Sequence, residues 1–285
     1  MQQRHKIALY RPETIADALA ALSDLGPRGA VLAGGTWIMR APLRHEPLAH
    51  AYVAIARIPE LHLIDIGDTY VKIGGGVTHA QLARHLQAVP ELRGLVTAAS
   101  DSANPAVRQA ATVGGNLCTV GFSAADLVPA LLCLDGEVEL ETLQGRQRMG
   151  LAAFLKVRDN LQPAYLLLHV LIRRRFAISA HARLPLRKAG DYPVAIASVS
   201  VERRPDGAIG AAAIGIGSVE VAPRRWARLE EAIMGLSLDP ILIHERALTL
   251  AGELTGREGP EVPGWYRVQV LPTLVRRVFE DLRTN

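Results

Sequence analysis

Apolar positions along this chain follow two rhythms: short runs that break at glycine or proline, and longer stretches with helical spacing. Residues 5–10 read as a brief strand ending at Arg11-Pro12. Thr14 is placed to cap a helix in which Ile15, Ala18, Leu19 and Leu22 share one face and Gly26-Pro27 ends the turn. Residues 29–33 are an apolar run into Gly34-Gly35, and residues 50–55 carry the β-branched and aromatic residues of another strand. Residues 1–57 thus predict a small βαβ subdomain.

The next stretch, residues 58–176, predicts a second unit. Residues 63–66 and 70–73 form a hairpin around Gly67-Asp68. Gly74-Gly-Gly76 leads to Thr78, an N-cap for a helix carrying Leu82, Leu86 and Val89 and ending at Pro90. Further helices are expected over residues 92–99 and 125–133, and a strand over 137–143. In the third part, residues 177–285, strands at 193–203 and 208–219 pair around Pro205-Asp206-Gly207. Asp239 caps a helix over residues 240–254. A last helix bears Leu271, Leu274, Val275 and Val278 on one stripe, with Pro272 marking the start of its regular part.

Composition narrows the class. The chain has 285 residues, 49% of them hydrophobic and 21% charged, as in a folded soluble protein. The net charge of +4 is spread out; its densest runs, Arg173-Arg-Arg175 and residues 183–188, lack interleaved aromatics, which argues against nucleic-acid binding. Two cysteines, Cys118 and Cys133, can build neither a disulfide framework nor an iron–sulfur cluster, and both are expected as buried free thiols. No segment reads as a leader peptide or membrane span, so a cytoplasmic protein is expected, or one translocated with a partner. The nine histidines are not at metal-ligand spacing, and His79, just after the cap Thr78, reads as structural.

Candidate chemistry sits in two glycine-rich segments. Gly34-Gly35-Thr36, at the end of a strand, can expose consecutive backbone N–H groups that bind anionic oxygen, or can be a tight structural turn. It is neither a phosphate loop with Gly-Lys-Ser/Thr nor Gly-x-Gly-x-x-Gly. The second segment places Thr112, Gly114, Gly115, Asn116 and Thr119 on one turn. Asp126, ten residues after Asn116, either caps a helix or accepts hydrogen bonds from ribose hydroxyls.

Taken together, five segments resemble a known family: Leu32-Ala-Gly-Gly-Thr36, Ile73-Gly-Gly-Gly-Val-Thr-His-Ala80, Asn104-Pro-Ala-Val-Arg108, Ala111-Thr-Val-Gly-Gly-Asn-Leu117 and Ala124-Ala-Asp-Leu127. In order and spacing, the chain is similar along its length to the FAD-binding medium subunit of molybdenum hydroxylases. That family includes carbon monoxide dehydrogenase, xanthine dehydrogenase and the nicotinate, quinoline and aldehyde oxidoreductases. The resemblance implies an α+β chain: a two-subdomain FAD-binding fold of the PCMH/vanillyl-alcohol-oxidase-like type, then a C-terminal α/β domain with a small antiparallel sheet and helices.

It also implies site residues. Leu32, Ala33, Gly34, Gly35, Thr36, Trp37, Ile38 and Met39 would hold the pyrophosphate. Thr112, Gly115, Asn116, Thr119 and Asp126, with Gly114 and Ser123 in the same stretch, would meet the ribityl, phosphate and adenosine portions. Leu167 would pack near the flavin, and Arg183 would stand where the family often has a lysine, a cation favouring the anionic reduced flavin. The chain departs from the family at Trp37, which replaces a polar residue and either stacks on the cofactor or packs between subdomains. An extra residue in 120–123 leaves open whether Phe122 or Ser123 faces the ligand.

The implied function is electron transfer without a substrate-converting base on this chain. Electrons would come from [2Fe–2S] clusters on a small partner subunit and leave to NAD, a quinone or oxygen. The molybdenum cofactor would sit on a large partner subunit. A stand-alone FAD oxidoreductase of the same fold, which would need an added substrate domain, and a flavin-free adaptor are the alternatives.

Overall fold

The computed structural model describes residues 7–161, 164–186 and 192–284. The basic pair Arg187-Lys188 therefore lies outside the described residues. Three sheets, each with its own apolar core, make up the described chain.

The first unit is a parallel three-stranded sheet in the order β1-β3-β2, formed by β1 (Ala8–Tyr10), β2 (Gly29–Leu32) and β3 (Ala51–Ala54). Helix α1 (Ile15–Leu25) connects β1 to β2; the Thr14 hydroxyl accepts from the Asp17 amide, and Gly26 closes the helix at φ 52°. Ala18, Leu19 and Leu22 of α1 are buried with Val53 and Ile55, as their spacing predicts.

The second unit is an antiparallel sheet in the order β4-β5-β8-β6-β7. Its strands are β4 (Ile64–Ile66), β5 (Tyr70–Gly74), β6 (Glu137–Thr142), β7 (Gly145–Gly150) and β8 (Tyr165–Arg173). Between β5 and β6 run α2 (His79–Leu86), α3 (Arg93–Asp101), α4 (Pro105–Ala110), α5 (Val113–Cys118) and α6 (Leu127–Cys133); α7 (Leu151–Val157) follows β7. Thr78 and Gln81 form a reciprocal capping box at α2. Sequence pattern missed β8. Seven consecutive residues, 166–172, are buried in it, because a central strand covered on both faces shows no alternation.

The third unit is an antiparallel sheet in the order β12-β11-β10-β9. It comprises β9 (Ile178–Pro185), β10 (Pro193–Arg203), β11 (Ile209–Gly217) and β12 (Arg224–Arg225). Helices α8 (Ala227–Ile233), α9 (Pro240–Leu250) and α10 (Gly264–Thr284) share its core, while α3 and α6 of the second unit pack on the sheet as well. Gly215 permits that contact: a Cβ there would lie 2.1 Å from the Pro129 carbonyl oxygen. The expectation that α10 becomes regular at Pro272 is corrected. The helix starts at Gly264 and carries Pro272 in its interior, where burial of Arg267, Leu271, Leu274 and Val275 along one stripe outweighs a lost backbone hydrogen bond.

The expected free thiols are free: Cys133 is buried and Cys118 half-buried. The basic run is largely neutralised, with Arg174 paired to Glu91 at 2.6 Å and Arg175 to Asp135 at 2.8 Å. No described helix is long and apolar enough to cross a membrane.

Candidate functional site

All three units contribute to one cleft of about 380 Å³. From the first unit come Ala33, Gly34, Gly35, Thr36, Trp37 and Ile38; from the second, Thr112, Gly114, Gly115, Asn116, Thr119, Asp126 and Leu167; from the third, Arg183. The structure thus gathers fourteen of the seventeen residues singled out in the sequence, segments up to 150 positions apart. Leu32, Met39 and Ser123 do not line it. Leu32 ends β2, where its carbonyl accepts from the Ile55 amide. The Met39 amide closes a turn onto the Gly35 carbonyl, and its side chain is 75% exposed. Phe122, not Ser123, faces the cleft; the Ser123 carbonyl accepts instead from the Ser218 amide at 2.9 Å.

The first glycine segment is shaped by contact between units. A Cβ on Gly34 would fall 1.8 Å from the Ala110 carbonyl oxygen at the end of α4. Gly35 has room for a Cβ but takes φ +69°, which favours glycine. This turn runs directly into a 3₁₀ segment, Ile38–Arg44.

The second segment is helical rather than a turn. Thr112 caps α5 by accepting from the Gly115 amide at 3.0 Å, so both glycines lie in its first turn. Gly114 is there because its amide donates to the Gly75 carbonyl at 2.7 Å and a Cβ would lie 2.8 Å from that oxygen. Gly75 in turn packs its backbone on Leu167, with a Cβ position 2.3 Å from the Leu167 carbonyl oxygen. Gly34, Gly75 and Gly114 are therefore sites of backbone-to-backbone approach, which propensity scales cannot register.

Asp126 does not cap α6 with its side chain, contrary to the capping alternative. Asn116 does that work: its Oδ1 accepts from the Leu127 amide at 3.2 Å. Asp126 is buried, with Arg183 Nε at 3.1 Å and His181 Nε2 at 3.9 Å. Burial pushes its carboxyl up to about 7 although the Arg183 guanidinium opposes this. Arg183 Nη1 also donates to the Asp101 carbonyl at 2.5 Å, so the cation expected beside a cofactor is held in a buried pair on the cleft wall. Burial, reinforced by Arg183, holds His181 neutral with a pKa of about 3.

Trp37 settles between the two roles open to it, lining the cleft while packing between units. Its ring centroid is 4.5 Å from Phe122 and 6.3 Å from Tyr192, and Phe122 and Tyr192 are 5.6 Å apart edge-on. The Arg44 guanidinium stands 3.7 Å above the Trp37 ring, and Arg40 donates to the Tyr192 hydroxyl at 3.0 Å. Ser218 tethers two of these aromatics through their chain neighbours. Its amide holds Ser123, its hydroxyl donates to the Pro193 carbonyl, and buried Arg267 donates to both the Val194 and Ser218 carbonyls at 3.0 and 3.2 Å.

Sequence reasoning missed Tyr192, Arg40, Tyr165 and the 102–104 segment as cleft residues, and it set His79 aside. Tyr192 and Arg40 had no local signal, since only the packing of the third unit on the first brings them together. The Asn104-Pro105 start of α4 was a readable cap, and Asn104 does accept from the Val107 amide at 3.0 Å.

Comparison with known proteins gives the family and the fold. Residues 5–173 match the family described as the FAD binding domain in molybdopterin dehydrogenase, and residues 180–282 match the CO dehydrogenase flavoprotein C-terminal domain. Relatives include the nicotinate dehydrogenase FAD-subunit of Eubacterium barkeri, 28% identical over 96% of this chain and 95% of that one. The carbon monoxide dehydrogenase medium chain of Afipia carboxidovorans is 29% identical over 97% and 96%. In fold, the chain superposes on carbon monoxide dehydrogenase from Hydrogenophaga pseudoflava with a TM-score of 0.89 at 21% identity, covering 98% of both chains. With more than half its length matched by the first family model, the chain belongs to the FAD-binding subunits of the molybdenum hydroxylase family.

Proposed function

We propose that the cleft holds FAD and that the chain relays electrons from [2Fe–2S] clusters of a small partner subunit to an external acceptor such as NAD, a quinone or oxygen. A large partner subunit would carry the molybdenum cofactor, and the assembly would work in the cytoplasm. The relatives' names support this reading: a FAD-subunit and a medium chain are parts of larger dehydrogenases. FAD would supply the electron-carrying chemistry; the protein's part is to bind, orient and shield it.

The observation that carries the proposal is the convergence of two glycine-built walls on one cleft. Gly34 and Gly114 each stand where a Cβ would collide with backbone, so the two walls are fixed at close range. The donor set suits a dinucleotide. Gly34, Gly35 and Thr36 offer backbone and hydroxyl to anionic oxygen, with Ala33, Trp37 and Ile38 beside them. Thr112, Gly115, Asn116 and Thr119 offer small polar groups, and Asp126 offers a carboxyl to sugar hydroxyls. Leu167 and the aromatic trio form walls that exclude water from a planar ring system. Arg183 is the cation of that wall, and its pairing with Asp126 moderates its field. Leu32, Met39 and Ser123 support the cleft from outside. In this reading, residues 1–57 and 58–176 grip the cofactor and residues 177–285 close the site.

Visible absorption of the purified chain tests the reading. A band near about 450 nm, as for any flavin, with close to one FAD per chain, is expected. Protein that takes up no flavin, alone or with its partners, would overturn it.

A further inference from the structure

His79 is a polar group of the cleft that the foregoing reading leaves without a task. It is the first residue of α2, is 1% exposed and lines the cleft beside Gly75, Asn104 and Thr112. Its amide is used, donating to the Ala111 carbonyl at 2.9 Å, but neither ring nitrogen has a hydrogen-bond partner. Buried polar groups in native proteins are nearly always paired, so a ring buried to this degree on a cavity wall marks a contact that a ligand completes. His181, also buried, differs in that one of its nitrogens is met: Nδ1 pairs with the Ser198 hydroxyl at 2.8 Å, while its Nε2 has no hydrogen-bond partner.

We propose that the His79 ring reads a sugar hydroxyl of the dinucleotide bound in the cleft. The inference rests on the FAD reading above and assigns this chain a further binding residue. The ring's protonation state selects the ligand group. Burial first, and the Arg108 guanidinium on α4 second, lower its pKa to about 4; the positive end of α2 acts in the same direction. At neutral pH the imidazole is therefore uncharged, with one N–H donor and one acceptor nitrogen. An ionised phosphate can only accept, so it leaves the acceptor nitrogen unmet. A hydroxyl gives a proton as readily as it takes one, and the polyhydroxyl ribityl chain and the ribose both supply it.

The test uses the full chain stripped of flavin. FAD affinity is compared for wild type, His79→Leu and His79→Gln, whose amide keeps one donor set and one acceptor. Leu is expected to weaken FAD about tenfold or more, the loss of a single buried hydrogen bond, and Gln to restore most of it. Parallel titrations with FMN and with ADP identify the sugar: loss confined to FMN assigns the ribityl chain, loss confined to ADP the ribose. Should His79→Leu fail to fold, the ¹⁵N shifts of the wild-type imidazole answer the question, since they must move on FAD addition while remaining those of a neutral ring. Unchanged FAD affinity in His79→Leu, equal loss in His79→Gln, or ring shifts indifferent to FAD would each overturn the assignment. A wild-type chain that binds no FAD would instead sink the cofactor reading itself, and this assignment with it.

Discussion

A methyl group on Gly34 would sit 1.8 Å from the Ala110 carbonyl oxygen, a backbone atom that cannot swing aside. Gly35, its neighbour, presents a different restriction, a φ of +69° with ordinary space around the Cβ position. The two glycines of one motif thus resist substitution for unrelated reasons. Gly34→Ala is expected to push the first unit away from α4 and to reduce flavin content to less than about a tenth of wild type, since even small displacements at a binding wall are costly. Gly35→Ala should cost about 1 kcal/mol of strain and retain most flavin. Flavin-to-protein absorbance ratios of the two variants check this; equal loss in both would mean that backbone conformation, not proximity, governs the site. The residue identities were readable in advance, but which glycine is limited by space was not, because the colliding atom lies 76 positions away.

At the scale of elements, α5 and α6 show how the second motif is organised. Sequence offered Asp126 as the cap of α6, the residue immediately before the helix. The structure gives that duty to Asn116, ten residues upstream and inside α5, and releases Asp126 to pair with Arg183. A local rule failed here because the cap is supplied by a neighbouring helix. Amide exchange can tell the two arrangements apart. In Asn116→Ala, the Leu127 amide should lose protection by about 1 kcal/mol, the usual worth of a cap, whereas Asp126→Asn should leave that amide protected. The reverse result would return the cap to Asp126. Of the elements governed by amphipathic spacing, α1 was legible in full, down to the capping Thr14, while α2 was legible at its Thr78 cap but ends at Leu86, leaving Val89, expected within it, in extended backbone. Strand β8 was not, since burial on both faces erases the alternation that identifies a strand.

For the whole molecule, three buried ionisable groups set a pH dependence: His79 and Asp126 on the cleft wall, and His181 beside Asp126. Folded His79 and His181 titrate at about 4 and about 3, and folded Asp126 at about 7. In the unfolded chain the same side chains return to roughly 6.5 for histidine and 3.9 for aspartate. Between about pH 4 and 6.5 the unfolded state therefore binds two protons that the folded state lacks, while the folded state keeps one on Asp126. The net difference is one proton, so these groups make stability rise with pH by about 1.4 kcal/mol per unit across that window. Above about 6.5 only Asp126 still differs, and its contribution declines as pH approaches 7. Denaturant midpoints of the flavin-free chain should accordingly fall from pH 6.5 to pH 5. His181→Asn should flatten that slope, because the remaining histidine and Asp126 then cancel. A slope unchanged in this variant would contradict the assignment of a neutral, buried His181.

Taken by itself, the sequence determined the elements whose signals are local and, through five motifs in order, the family. Amphipathic spacing, caps and glycine punctuation act within a few residues, and a motif series survives as spacing along the chain. Only the tertiary structure decided which atoms meet in the cleft. It placed Arg183 on Asp126, Phe122 rather than Ser123 toward the cavity, Trp37 among Phe122 and Tyr192, and an unpaired His79 on the wall. These are contacts between units far apart in sequence. They depend on how three separately cored sheets pack against one another, and no periodicity within a single segment encodes that packing.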